Sequence, residues 1–367
     1  MKFRCERDTL AEAITTAQRA VASRSGAFPV LAGLRVTVAG DELEIVGSDL
    51  ELTIRSRIPA DGIEDGRAVL EARLFGDIVR KLAPGSVTVE VGDEEATITS
   101  GRSTFSLRVF PADDFPRLVE LEGDGIGVDA AALADALRQV VPAASSDDAR
   151  PTLTGVLLAS TADGLRLVAT DSYRLAKRDL TGVSMLPAGE RVLVAAKGLR
   201  EVQRLLGEGE LTVVLGERDA LFRIGGTEVT TRLIEDKFPN YEQLIPSDYP
   251  NRLTIFRGPL AEAVERVRLV GQGQGRDSAP IRLAMSADGL ELSATAQDRG
   301  QANEGVDAKF EGSDLTIAFN SQYLLEGIEA AAADEVILET LDPLKPATLK
   351  VAGNDEFLYL LMPVRIA

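Results

Sequence analysis

Histidine is missing altogether from this chain of 367 residues. Its absence rules out Ser-His-Asp and Cys-His activation of a nucleophile, imidazole proton shuttling and the commonest zinc ligand at one stroke. Cysteine is nearly missing too: Cys5 stands alone, so no disulfide can close within the chain, in keeping with a reducing compartment. Nowhere do about 18 uncharged apolar residues run together. The opening MKFRCER leads into no apolar stretch of signal-peptide length, and the sequence predicts a cytoplasmic chain.

What is present points to folded domains. Apolar residues make up 45% of the chain and are spread along it, enough to bury cores. The length suits two or three domains. A net charge of −18 favours solubility and, taken over the whole chain, disfavours a nucleic-acid partner, although such an average conceals local patches.

The organisation shows in a phrase written three times: LAEAI at 10–14, LADAL at 133–137 and LAEAV at 260–264. Around each copy the apolar residues keep helical spacing: Leu10, Ile14, Ala17 and Val21; Leu133, Leu137 and Val140; Leu260, Val264 and Val267. Asp8 and Asp129 stand where an N-cap is expected, and Pro259 suits a first helical turn. Hairpin patterns follow at 30–49, 153–171 and 280–298, then second helical segments at 71–82, 195–206 and 320–331. Strand-rich sequence closes each third, at 87–110, 211–224 and 357–366. Each third thus reads helix, strands, helix, strands, and repeated units of this kind sit side by side in a solenoid, an arc or a ring.

Other signals are local. GQGQG at 271–275 lacks the preceding strand and following GK[ST] of a phosphate loop, and SSDD (145–148) and ADD (112–114) read as solvated acidic turns. No set of residues marks a catalytic centre, a cofactor site or a metal site. Paired carboxylates of the glycosidase type are permitted by composition but singled out nowhere. A repeat-built adaptor that binds proteins without DNA stays open.

In order along the chain, MKFRCERDTLAEAI, FPVLAGL, GSDLEL, SGRSTFSLRVFPADDFP, LTGVLL, VATDSYRLA, DKFPNYEQLIP and LMPVRI together resemble the bacterial DNA polymerase III β subunit family, the sliding clamps. The resemblance implies an α+β fold of three repeated clamp domains, at 1–124, 125–250 and 251–367. It implies a head-to-tail homodimer closed into a ring, with helices lining a central hole and antiparallel sheets outside. The implied function is non-catalytic: encircling duplex DNA and tethering the replicative polymerase. Implied partners are double-stranded DNA, a second copy of the chain, the polymerase III α subunit, the clamp-loader δ subunit, and other polymerases and repair proteins. A second, antibiotic-resistance copy of such a clamp is the alternative within the family.

A clamp must hold DNA without stopping, so its contacts belong on phosphates, which carry no sequence information. The resemblance assigns this to Arg24, Arg73, Arg80, Lys81, Arg138, Arg150, Lys197, Arg200 and Arg204; segment 195–206 carries three bases against one acid, Glu201. For a pocket that takes short linear peptides it implies Leu153, Thr170, Ser172, Tyr173, Arg174, Leu175, Pro239, Gln243 and Leu244. The chain's end adds Leu360, Leu361, Met362, Pro363, Val364 and Arg365. Tyr173 is expected to narrow that pocket, and Gln243 stands where relatives can carry a base.

Ring closure is expected to bring Arg102, Phe105 and Leu107 against Leu269, Val270, Asp298 and Glu304. Thr104, Gly300, Gln301 and Asn303 stand where charges can occur in the family, so the expected interface leans on packing.

Overall fold

Among the described residues six α-helices form, two from each third of the sequence. They are α1 (Arg7–Gln18), α2 (Ala72–Lys81), α3 (Ala130–Val140), α4 (Ala196–Leu205), α5 (Arg257–Gly271) and α6 (Ser321–Ala330). The repeated phrase does the same work each time. Leu10, Ala13, Ile14 and Ala17 of α1 are buried, as are Leu133, Ala136, Leu137 and Val140 of α3, and Leu260, Ala263, Val264 and Val267 of α5. Those positions are i, i+3, i+4 and i+7, one stripe of a helix. Each buried Leu or Ile contributes about 1.5–3 kcal/mol of apolar transfer.

The structure, a computed structural model, describes residues 1–22, 28–207, 210–271, 280–296 and 299–365. Its contacts group into two units, Met1–Ala131 with Lys197–Leu233 and Ala132–Ala196 with Ile234–Ala367. The described helices include none long and apolar enough to cross a membrane.

Side chains cap the starts of α2 and α6, and α1 departs from expectation. α1 begins at Arg7 behind Glu6, so Asp8 lies inside the first turn and is not the cap. A carboxylate there still faces the positive end of the helix dipole. α2 is capped by Glu71, whose carboxylate accepts from the Arg73 and Leu74 amides at 3.1 and 2.6 Å. Asn320 caps α6 in the same way, accepting from the Gln322 and Tyr323 amides at 2.9 and 3.2 Å.

All strand pairings among the described residues are antiparallel, and with the helices they make an α+β fold. In the first unit a thirteen-stranded sheet carries the hairpin Gly33–Ala39 with Glu42–Ser48, followed by Leu52–Pro59. That last strand pairs with Thr227–Arg232, setting Leu52 opposite Thr231 and Thr53 opposite Thr230. Helix α1 lies on this sheet so closely that a Cβ on Gly47 would come 2.1 Å from the Ala17 carbonyl oxygen. Only glycine allows that approach.

The second unit holds a nine-stranded and a four-stranded sheet. In the larger one, Arg174–Thr181 pairs with the chain's last strand, Asn354–Leu361, setting Arg174 opposite Leu361 and Leu175 opposite Leu360. The smaller sheet ends in Gly300–Val306, which pairs only with Gly289–Ala296 among the described residues. In the first unit, strand Ser103–Phe110 pairs with Glu95–Ser100 along its length. It meets Gly66–Glu71 only through Val109 and Phe110, so Ser103–Arg108 keeps one open edge.

Candidate functional site

The basic residues expected to face DNA divide by how they are held. On α2, Arg73 is almost fully exposed with Asp77 at 3.9 Å, and Lys81 is exposed without an ion pair among the described residues. Arg80 is engaged: it donates to Thr15 Oγ1 at 3.2 Å and Gln18 Oε1 at 3.3 Å on α1, and to Asp77 Oδ1 at 2.7 Å. It therefore ties α2 to α1 while sitting at their surface.

On α4, Lys197 pairs with Asp49, and Arg204 donates to Glu201 Oε1 at 2.8 Å. Glu201 also lies 3.8 Å from Arg19. Arg200 is half-buried, has no ion pair among the described residues, and its guanidinium pKa is pushed down by burial and by neighbouring Arg204. In the second unit Arg138 donates to Asp135 Oδ1 at 2.7 Å and to the Glu329 carbonyl at 3.2 Å. Arg150 donates to Asp147 Oδ2 at 3.0 Å and Ser172 Oγ at 3.2 Å. Arg24 lies outside the described residues.

Most of these cations thus already have a carboxylate neighbour. The pairs of Arg73, Arg80, Arg138 and Arg150 are solvent-exposed and worth about 0–1 kcal/mol each, so exchanging their carboxylates for a phosphate costs little, whereas Lys197 and Arg204 reach the more buried Asp49 and Glu201. The consequence is a weak, adaptable basic surface.

Of the residues expected to hold peptides, Thr170, Ser172, Tyr173, Arg174 and Met362 meet at one turn. Asp171 Oδ1 accepts from the Tyr173 and Arg174 amides at 2.9 and 3.0 Å, and Ser172 is forced to a φ of 81°. Thr170 Oγ1 accepts from the Ser172 amide at 3.2 Å and donates to the Arg174 carbonyl at 2.6 Å. The Met362 amide then donates to the Tyr173 carbonyl at 2.9 Å, so the chain's last residues are stitched to the turn. The Val364 amide donates to the Ala318 carbonyl at 2.8 Å.

The expected lining residues divide by exposure. Leu153, Thr170, Arg174, Leu175, Leu360 and Leu361 are buried, and Leu175 and Leu360 belong to a cluster with Leu157, Val168, Leu193, Tyr241 and Leu358. Exposed around them are Tyr173, Pro239, Gln243, Leu244, Met362, Val364 and Arg365, with Ser172 exposed and Pro363 half-buried. Tyr173 and Leu244 expose 59% and 45% of their surface.

Arg174 is a buried hub. Its guanidinium donates to Asp171 Oδ2 at 3.1 Å, to the Tyr359 hydroxyl at 3.1 Å, to Glu326 and to the Pro142 carbonyl. Burial works against its charge, yet Tyr359 and Glu326 outweigh that and raise its pKa. Desolvation in turn pushes the Tyr359 phenol up, so it stays neutral. Gly327 of α6 makes room for that tyrosine: a Cβ there would lie 2.6 Å from the ring.

Sequence reasoning missed Tyr323, Glu326 and Tyr359. Tyr323 lies under the Arg174 guanidinium and stacks on Tyr173 at 6.5 Å between ring centroids. The available signal was an aromatic in the first turn after an Asn cap, set on the polar side of α6.

Of the expected interface, Phe105 and Arg102 are exposed, while Leu107 is buried in the first unit's own core. Leu269 is exposed and Val270 half-buried on α5. Glu304 accepts from Arg266 at 2.6 Å, and Asp298 lies outside the described residues. The GQGQG loop also falls outside them beyond Gly271. A hollow of about 550 Å³ in the first unit is lined by charges that already pair, such as Arg57 with Glu228 at 3.5 Å. Among the described residues no group of three or more Cys, Asp or Glu is placed to hold a metal ion.

Comparison with known proteins agrees along the whole chain. Three family models match in succession: the DNA polymerase III beta subunit N-terminal domain over residues 1–119, its central domain over 127–240 and its C-terminal domain over 242–365. The beta sliding clamp of Streptomyces coelicolor is 34% identical over 380 residues, covering 100% of both chains. That of Staphylococcus aureus is 32% identical over 378 residues, covering 100% of this chain and 99% of the relative. The crystal structure of the DNA polymerase sliding clamp from Bacillus subtilis superposes with a TM-score of 0.91 at 27% identity, covering 100% of both chains. The Pseudomonas aeruginosa clamp with a ligand gives 0.88 at 30% identity, again over 100% of both. With all three domain models met in order and relatives matched from end to end, this chain belongs to the DNA polymerase III beta subunit family, the bacterial beta sliding clamps.

Proposed function

We propose that this chain is a DNA sliding clamp that tethers the replicative polymerase to duplex DNA. The observation that carries the reading is the match of the family's three domains, in order, along the whole chain. In this reading the chain folds as three clamp domains at 1–124, 125–250 and 251–367, and two chains close head to tail into a ring. Helices face the hole and antiparallel sheets face outward. Grip comes from topology, and the chain itself does no chemistry.

The weakly paired cations of α2 and α4, with Arg138, Arg150 and Arg24, meet phosphates along the hole. Their present carboxylate partners support a sliding role, because contacts that exchange cheaply do not arrest the ring. The turn around Ser172 and Tyr173, the segment at Pro239–Leu244 and the chain's end form the pocket for short linear peptides. The polymerase α subunit, the loader δ subunit and repair proteins would use it, with exposed Leu244 and Met362 seating an apolar anchor. The open edges at Ser103–Arg108 and Gly300–Val306 pair across subunits. Arg102, Phe105, Leu269, Val270, Asp298 and Glu304 flank that seam, and the setting is the cytoplasm.

The test is retention on circular nicked DNA after loading. A clamp stays on the circle and slides off once it is cut. Equal loss from both forms would sink the reading.

A further inference from the structure

The turn that builds the peptide pocket is made twice. In the first unit, Asp49 Oδ1 accepts from the Glu51 and Leu52 amides at 3.0 and 2.8 Å, as Asp171 Oδ1 accepts from the Tyr173 and Arg174 amides. The Leu50 amide donates to Ser48 Oγ at 3.1 Å, as that of Ser172 donates to Thr170 Oγ1. Leu50 has a φ of 77° and Ser172 one of 81°, and no other non-glycine residue among those described has a positive φ.

The correspondence continues into the partner strand. Arg232, one residue past the Leu52–Thr231 pair, donates its amide to the Glu51 carbonyl at 3.0 Å. Met362, one residue past the Arg174–Leu361 pair, donates to the Tyr173 carbonyl at 2.9 Å. The segment FPRLVEL at 115–121 then repeats FPNYEQL at 238–244. The turn and its bond to the partner strand are therefore both present in the first unit, and a Phe-Pro segment follows, without the short 3-10 turn that Glu242–Leu244 makes.

What differs is the lining. Beside this first turn lies a cavity of about 140 Å³, bordered by Leu50, Leu118 and Val119 and by Arg117 and Arg232. Leu50 and Val119 expose 40% and 48% of their surface. A leucine held at positive φ costs on the order of 1–3 kcal/mol, and here that strain keeps an apolar side chain at a rim. Arg117 and Arg232 are exposed and have no ion pair among the described residues. Glu51 and Asp219 complete the wall.

We infer that this cavity is a second peptide-docking site. It takes a short extended segment with one aliphatic anchor side chain and a neighbouring carboxylate. The anchor enters between Leu50, Leu118 and Val119, the carboxylate meets Arg117 and Arg232, and Glu51 and Asp219 accept from the ligand's backbone N–H groups. Hub residue Arg174 has no counterpart, since buried Leu52 takes its place. The two sites therefore differ in specificity. The inference extends the peptide-binding reading of the Ser172–Tyr173 pocket and rests on it for the choice of ligand class.

The experiment measures binding of a fluorescein-labelled acidic peptide, acetyl-Glu-Leu-Leu-Asp amide, to the full chain by anisotropy and stoichiometric titration. Its lysyl counterpart, acetyl-Lys-Leu-Leu-Lys amide, is the control. Three variants are compared: V119E, the pair R117E/R232E, and a chain ending at Leu361. Val119, Arg117 and Arg232 are exposed, so their variants should keep the parent's unfolding temperature, which is measured alongside.

The inference predicts two acidic peptides per chain. It also predicts binding by the shortened chain, at least tenfold stronger for the acidic peptide, that V119E or R117E/R232E abolishes when combined with the truncation. One peptide per chain, lost on truncation and indifferent to V119E, overturns the second site and leaves the first intact. One peptide that survives truncation and is lost in V119E overturns the first pocket and upholds the second. No binding at all overturns both.

Discussion

The Arg174 guanidinium lies 4.3 Å from the centroid of the Tyr323 ring, and that ring in turn stacks on Tyr173. A buried cation, an aromatic of α6 and the exposed aromatic of the Ser172–Tyr173 turn therefore form one column. Removing the cation leaves Asp171 and Glu326 without their shared partner. Arg174→Ala should destabilise the fold by about 3–5 kcal/mol, read as a drop in denaturant midpoint. Tyr323→Ala should cost less, about 1–3 kcal/mol, yet weaken peptide binding, read by titration. Unchanged binding in the second variant would detach Tyr323 from the pocket.

Gly327 offers a test in which no pocket residue is altered. A methyl group 2.6 Å from the Tyr359 ring must displace it, and with it the hydroxyl that accepts from Arg174. Gly327→Ala, which elsewhere in a helix is stabilising, should cost about 1–3 kcal/mol here. Thermal unfolding of the variant decides the sign.

Charge reversal at Arg73, Arg80, Lys197 and Arg204 together should shorten retention on circular DNA and flatten its salt dependence. Each phosphate that is no longer neutralised takes about 0.9 off the slope of log K against log salt. An unaltered slope would place DNA elsewhere on the chain.

Asp179 sets an acid limit beside the pocket. Burial alone would raise its pKa, but Arg166 at 2.6 Å and Lys177 at 3.0 Å outweigh that and hold it below the usual carboxylate value. With the folded pKa depressed, its contribution is present above about pH 3.9, the unfolded value, and is lost as pH falls through the folded one. Arg166 also feels Tyr241, which belongs to the apolar cluster with Leu175 and Leu360. Asp179→Asn should therefore lower stability at pH 7 and show a smaller further loss below pH 4, read from urea midpoints across that range.

Phe105 is exposed on the open edge of Ser103–Phe110, so Phe105→Asp should spare the chain's own fold. Sedimentation at micromolar concentration should show the paired form replaced by single chains. A pair that persists would move the seam to another edge.

The helices were legible because their apolar positions recur at i, i+3, i+4 and i+7 with few intruding charges, as at Leu133, Ala136, Leu137 and Val140. Hairpins were legible from alternation about a Gly or Asp turn, as in Val38-Ala-Gly-Asp-Glu42. Asp8 misled because several residues near a helix start can serve the dipole, and local pattern does not say which one takes the cap. Arg174 was placed in the pocket by resemblance, but its role as a hub depends on Glu326 and Tyr359, which lie 152 and 185 residues away. No local pattern encodes such a meeting. The matching turn at Leu50 hid for a related reason: a leucine at positive φ looks in sequence like any other leucine.

The half-paired strands Ser103–Phe110 and Gly300–Val306 also govern what happens to a chain that is alone. Each presents a row of unsatisfied backbone groups, a template on which any stray strand can add. In the proposed ring a freshly made copy carries both until it meets a second, and exposed Phe105 makes the first of them adhesive. Synthesis and partnering are thereby coupled. Copies made faster than they pair off, or diluted until they separate, spend longer with their seams open, and aggregation then competes with assembly for the same edges.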